Sequence, residues 1–234
     1  MFVIFCFLLI PNFCTAQQEI DIPDARPFQI NPTLKIDGET LFFDGLITRA
    51  SQKEVIKLLT HNDIKTLSVN SMGGDVQSAL DIANILYTRK INIAVRTVCA
   101  SACANYLFPA GQEKIIGNNS YLLWHGSAGS PAEQLRITTD SKTLSPGDLV
   151  KMPEFVRIKK REKNFYSLLK VNYKLPFCPQ LQDNYSVKFP EKWFSYTPED
   201  MRKFGIRNIF YVNSASQWVI SMRNKHVIFA SYCK

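Results

Sequence analysis

Three short stretches of this 234-residue chain hold groups that could do chemistry. In "TVCASACANYLFPAG", residues 97–111, Ser101 sits between alanines, with Cys99 two residues before it and Cys103 two after. In "NSMGGD", residues 70–75, Gly73 and Gly74 follow a buried-strand pattern at the mouth of a helix pattern. Adjacent glycines there let the backbone approach a ligand closely, with outward N–H groups and a helix dipole behind them. Such a turn can hold a phosphate or an oxyanion. The third stretch, "YLLWHG", residues 121–126, ends a strand at His125. A serine, a histidine and outward N–H groups are the nucleophile, base and oxyanion donors of acyl transfer. Each has a plain structural reading as well: an N-cap serine, a tight glycine turn, a hydrogen-bonded scaffold histidine. The glycine spacing of a dinucleotide site and the Gly-Lys ending of a P-loop are both missing.

The elements that must carry these groups follow from periodicity. "LKIDGETLFFDGLIT" reads as two strands around an Asp37-Gly38 hairpin turn. A capping box over Ser51 to Glu54 opens a helix with Val55, Leu58 and Leu59 on one face. "IKTLSVN" is a strand, "DVQSALDIANILY" a helix, "INIAVRTV" a strand, and a helix begins near Ser101. "EKIIGNNSYLLWHG" adds two short strands ending at His125. This alternation predicts an α/β fold with a mainly parallel, helix-covered sheet. Glycine turn, Ser101 and His125 then converge on the carboxyl edge of the strands, where open α/β sheets bind ligands. The remaining histidines, His61 in a polar helix end and His226 in the terminal segment, lack such a setting.

Beyond His125 a polar stretch runs to Pro146, followed by an amphipathic helix over residues 148–171. A loop with Cys178 and Asp183 comes next, then a short helix capped by Thr197, with Pro198 at its first position and Gly205 as its stop. "IRNIFYV" is a strand, and "SQWVISM" with "HVIFASY" predicts a C-terminal β-hairpin. Residues 34–234 thus form one domain behind a lead-in over residues 17–33. Residues 1–16, an apolar run ending in small residues, read as a cleavable signal and place the protein in the periplasm or outside the cell.

Export leaves four cysteines that allow three pairings. Cys178 with Cys233 is the preferred bridge, tying the C-terminus onto a long loop. Cys99 and Cys103 read as small buried residues, with a disulfide locking the serine turn as the alternative; their spacing is not that of a zinc or redox pair. The net charge of +8 is densest in "RIKKREK", residues 157–163. It reads first as a solvated helix face, second as a surface for anionic lipid or envelope polymer. No stacking-aromatic motif or helix-turn-helix accompanies the charge, which argues against a nucleic-acid partner.

Together "NSMGG", "CASACA" with "LFPAG", and "LLWH" resemble the Clp protease proteolytic subunit and crotonase superfamily, most closely its exported, periplasmic Clp-protease-like branch. "FSYTPEDMRKFGI" adds to the resemblance, which spans residues 34–129 and 193–210. It implies a spiral of β-β-α units, Ser101 as nucleophile, His125 as general base, and an oxyanion hole from Gly74 or Gly73 with Ala102. It also implies a peptide or protein substrate, a homo-oligomer, and no metal or organic cofactor. Met72 replaces the family's proline in the glycine turn. The family's acid lies on the loop between the long helix and the short C-terminal one, where Asp183 is the best-placed carboxylate; Asp140, Asp148 and Glu154 remain alternatives. An exported domain has no ATP, so no ATPase partner is expected. Acyl-CoA chemistry is disfavoured for a similar reason. The competing reading is a non-catalytic member of the same fold, kept as a binding or scaffold protein of the envelope.

Overall fold

A computed structural model of the chain describes residue 22 and residues 24–135, 138–139, 142–143 and 145–234. The expected signal over residues 1–16 lies outside the described residues, as does Asp140. The first elements are β1 (Thr33–Asp37), β2 (Thr40–Asp44), α1 (Arg49–His61), β3 (Thr66–Ser71), α2 (Val76–Arg89) and β4 (Asn92–Ala100). A π-helical turn over Cys103–Leu107 runs into α3 (Phe108–Ala110), followed by β5 (Lys114–Ile116) and β6 (Tyr121–Leu123). A two-residue hairpin, β7 (Thr138–Thr139) and β8 (Lys142–Thr143), interrupts the polar stretch. Then come α4 (Pro146–Leu149), α5 (Pro153–Leu169), α6 (Tyr185–Lys188), β9 (Ser195–Tyr196) and α7 (Pro198–Lys203). β10 (Ile209–Tyr211), α8 (Ala215–Asn224) and β11 (Phe229–Ala230) complete the chain.

The main sheet runs β1-β2-β3-β4-β5-β10, with β6 also pairing β4. Only β1 and β2 are antiparallel; the other pairings are parallel. This is a mixed, mostly parallel α/β architecture, as the alternation predicted. β4 is long enough to serve two partners in turn. Ile93 to Val95 pair with β5, and Val98 to Ala100 pair with β6. Between them the register against β3 slips from Val69↔Val95 to Ser71↔Cys99, so β4 carries extra residues there. The slip turns the end of β4, and hence Ser101, toward the glycine turn. Trp124 then bridges to Phe194, leading from β6 toward a small parallel pair of β9 and β11.

The apolar stripes of α1 and α2, Val55 and Leu59 with Leu80, Ala83 and Leu86, are buried in one core with Leu67 and Val69 of β3 and Ile93 and Val95 of β4. At about 1.5–3 kcal/mol per fully buried large apolar side chain, this layer supplies most of what fixes the sheet.

Four local expectations change. The cap of α1 is Thr48, with Ser51 reciprocating as its third helical residue, so the helix starts earlier than a box opened by Ser51. The lead-in is docked rather than simply extended: the Met72 N–H donates to Pro27 O and the Leu46 N–H to Gln29 O. The long helix is shorter than 148–171, because Pro153 starts a new helix after α4. The C-terminal hairpin does not form. "SQWVISM" is helical, capped by Ser214, which accepts from the Gln217 N–H, and it buries Trp218 and Met222 one turn apart. Their i, i+4 spacing wins over the apolar run that suggested a strand.

Candidate active site

Ser101 lies just past the end of β4, where the strand gives way to the π-helical turn. Its φ is 52°, the left-handed region, which costs a non-glycine residue about 1–3 kcal/mol. Its N–H donates to Leu123 O at 3.0 Å and its carbonyl accepts from the Asn105 N–H at 2.8 Å. The turn is therefore held by the sheet on one side and the helix on the other. The plain alternative, an N-cap, is not what Ser101 does: its hydroxyl is 2.7 Å from His125 Nε2. In the base-competent tautomer the hydroxyl donates and the imidazole accepts.

Cys99 and Cys103 are disulfide-bonded across this turn, with Cα atoms 5.2 Å apart. The reading of two unlinked small residues is thereby corrected. Cys99 closes the sheet and Cys103 opens the helical turn, which brings the two back to back. Cys178 is bonded to Cys233, the pairing the sequence favoured.

The glycine turn packs directly onto the serine turn. A Cβ on Gly73 (φ 89°) would lie 2.6 Å from Ala100 O and 2.7 Å from Ala102 N. No side chain fits there. The Gly73 N–H is donated to Ser71 Oγ at 3.1 Å, so it is not available to a ligand. The N–H groups of Gly74 and Ala102 have no acceptor among the described residues. Of the three backbone donors considered from sequence, these two remain without a partner there.

His125 ends the strand path beyond β6, and its ring lies against Trp193 with centroids 4.2 Å apart. Its carbonyl accepts from Gln180 Nε2 at 2.9 Å, and the next carbonyl, of Gly126, accepts from Asn105 Nδ2 at 2.9 Å. Surrounding protein pushes the imidazole down from its ordinary 6.5 toward about 4. The imidazole is neutral near pH 7, the state a general base needs.

Among the described residues no carboxylate hydrogen-bonds or pairs with His125. Asp183 stands in an exposed turn before α6, neither hydrogen-bonded nor paired with the ring, whose partners are Ser101 and Trp193. Asp148 accepts from Ser145 Oγ at 2.6 Å, and Glu154 is paired with Arg157. Among the described residues, Ser101 and His125 thus meet each other and no carboxylate.

A different carboxyl supports the site from below. Glu162 of α5 is fully buried and accepts from Tyr106 Oη at 2.8 Å and Tyr173 Oη at 3.3 Å. Ser127 and the Gly129 N–H also face it, and burial raises its pKa. It therefore anchors the loop that follows His125. Sequence reasoning missed this group, although its signal was present. Phe155, Ile158, Glu162 and Phe165 share one stripe of α5, so the carboxyl interrupts an apolar face. Trp193, by contrast, left no signal in its local sequence.

The cavity beside Ser101 and His125 holds about 390 Å³. Val76, Ala128, Leu135, Leu149, Phe155 and Ile158 form its apolar wall, and Lys192 stands at its rim. Among the described residues no cluster of His, Cys, Asp and Glu could hold a metal ion.

No protein-family model and no curated protein matches this chain. Among solved structures it is similar to a ClpP1 point mutant from Listeria monocytogenes, at 16% identity and a TM-score of 0.47, covering 77% of this chain and 94% of the other.

Proposed function

We propose that this protein is a serine hydrolase that cleaves an acyl bond, a peptide bond by preference, through an acyl-enzyme on Ser101. One observation carries the reading: Ser101, held in a left-handed turn, places Oγ 2.7 Å from Nε2 of a neutral, cleft-bound His125. As Oγ bonds to the substrate carbonyl carbon, its proton passes to Nε2 and the carbonyl oxygen becomes an oxyanion facing the Gly74 and Ala102 N–H groups. Collapse breaks the bond to the leaving group, which takes the proton from Nε2. Water, deprotonated by the same nitrogen, then attacks the acyl carbon, and as the bond to Oγ breaks Ser101 takes that proton back and the acid is released. Asp183 is not needed for these steps. Among the described residues, Trp193 beside the ring and the pinned carbonyls of His125 and Gly126 orient the imidazole. The two disulfides support an oxidising, exported setting.

A fluorophosphonate probe tests the reading. Wild-type protein should be labelled stoichiometrically, Ser101→Ala should not be labelled, and His125→Ala should react at least about a hundredfold more slowly. Failure of folded wild type to label would favour the second reading, a binding module on the same scaffold. That no carboxylate among the described residues meets His125 is the observation that speaks for that alternative.

A further inference from the structure

We propose that the Cys99–Cys103 disulfide is a positioning device for the nucleophile: it holds Ser101 in the left-handed conformation that presents Oγ to His125. The inference rests on the reading of Ser101 and His125 given above.

Cys99 is anchored in the interior of the sheet, in register with Ser71 of β3 on one side and Leu122 of β6 on the other. Cys103 begins the π-helical turn. Both are wholly buried. The bond between them spans Ala100, Ser101 and Ala102, with Ser101 at the apex. Nothing larger than a methyl group flanks the serine, so side-chain packing does little to keep the apex in an unfavourable conformation. The relaxed alternative, a negative φ, would swing Oγ off the line to Nε2. Fixing the two ends of a five-residue ring at 5.2 Å restricts that relaxation.

Global stabilisation is a poor explanation for this bond. Loop-closure entropy grows with the length of chain enclosed, and here the separation is 4 residues against 55 for Cys178–Cys233. The long-range bridge is the one placed to stabilise the molecule, and the short one is the one placed at the nucleophile. Because neither sulfur reaches solvent, the short bond acts as a permanent fixture and not as a switch thrown in the folded state.

The test compares Cys99→Ala/Cys103→Ala with Cys178→Ala/Cys233→Ala as the control, following the rate of fluorophosphonate inactivation against probe concentration. This separates kinact, which reads nucleophile geometry, from KI, which reads probe binding. The expected result is kinact at least about tenfold lower in the first variant, with KI within about twofold of wild type, and kinact unchanged in the control. Its thermal midpoint should fall by less than that of the control. An unchanged kinact in a folded Cys99→Ala/Cys103→Ala protein would overturn the proposal, and so would an equal loss in both variants. Should the double alanine variant not fold, Cys99→Val/Cys103→Ala refills the strand interior, and failure of that variant to fold would assign the bond a structural role instead. Wild type that is never labelled would remove the nucleophile reading and this inference together. Labelled wild type with an unaffected variant would remove only the inference.

Discussion

Ser101 and His125 illustrate how little a residue's identity says before its backbone is known. A serine after a strand normally caps the helix that follows, and a histidine at a strand end normally serves as scaffold. Here the left-handed φ of Ser101 turns its hydroxyl away from the helix and onto Nε2. His125 yields the prediction that belongs at this scale. Protein crowding lowers its pKa, so the neutral, base-competent form persists into acid. The labelling rate should hold steady downward from neutral pH and fall to half at a midpoint between about 4 and 6.5, lost as pH drops through that midpoint. A midpoint at or above 6.5 would contradict the burial argument. The same depression gives the sign of the linkage. The unfolded chain takes up this proton first, so stability from His125 is present above its ordinary value and declines as pH falls toward the folded one.

Among the elements, α5 does more than cover the sheet. Its basic run, read from sequence as a solvated face, is partly spent on the fold: Arg161 pairs with Asp81 of α2, and Arg157 pairs with Glu154 on its own helix. Lys163 lies 5.8 Å above the Tyr173 ring. The opposite face delivers Glu162 beneath the loop that follows His125. Replacing Glu162 by alanine would leave the hydroxyls of Tyr106 and Tyr173, along with Ser127, without their buried acceptor. The expected cost is about 2–4 kcal/mol, measured by denaturant unfolding at pH 7. A change below about 0.5 kcal/mol would show that this carboxyl is not what holds the loop. At the same scale, α8 shows where strand and helix readings of a short apolar run diverge. The deciding features are a serine cap and the turn-spaced pair Trp218 and Met222, not overall hydrophobicity.

At the scale of the molecule, the cross-link from Cys178 to Cys233 ties the terminal segment to the loop that precedes α6, with 55 residues of chain between its ends. By the loop-entropy relation this bridge is worth about 4 kcal/mol, against about 2 kcal/mol for the short bridge at the serine turn. Removing it as Cys178→Ala/Cys233→Ala should lower the unfolding free energy by several kcal/mol. Equal stability of the two cysteine double variants would contradict that ordering. Much of the architecture was legible in the chain itself. The alternation of strand and helix, the hairpin at Asp37-Gly38, the Thr197 cap and the mainly parallel sheet all follow from local pattern.

What the sequence by itself determined was which chemical groups the molecule has and which edge of the sheet they occupy. Period-two and period-3.6 patterns and glycine turns are short-range properties, each written within a dozen residues or so. What only the tertiary structure decided was how those groups meet. The contact of Trp193 with His125 and that of the buried Glu162 with Tyr106 join distant segments, and the Cys99–Cys103 bond spans a left-handed turn that no local pattern announces. The slip in β4 illustrates the reason. One change of register between neighbouring strands aims the serine turn, and register is fixed by packing across the whole sheet and not by any one stretch.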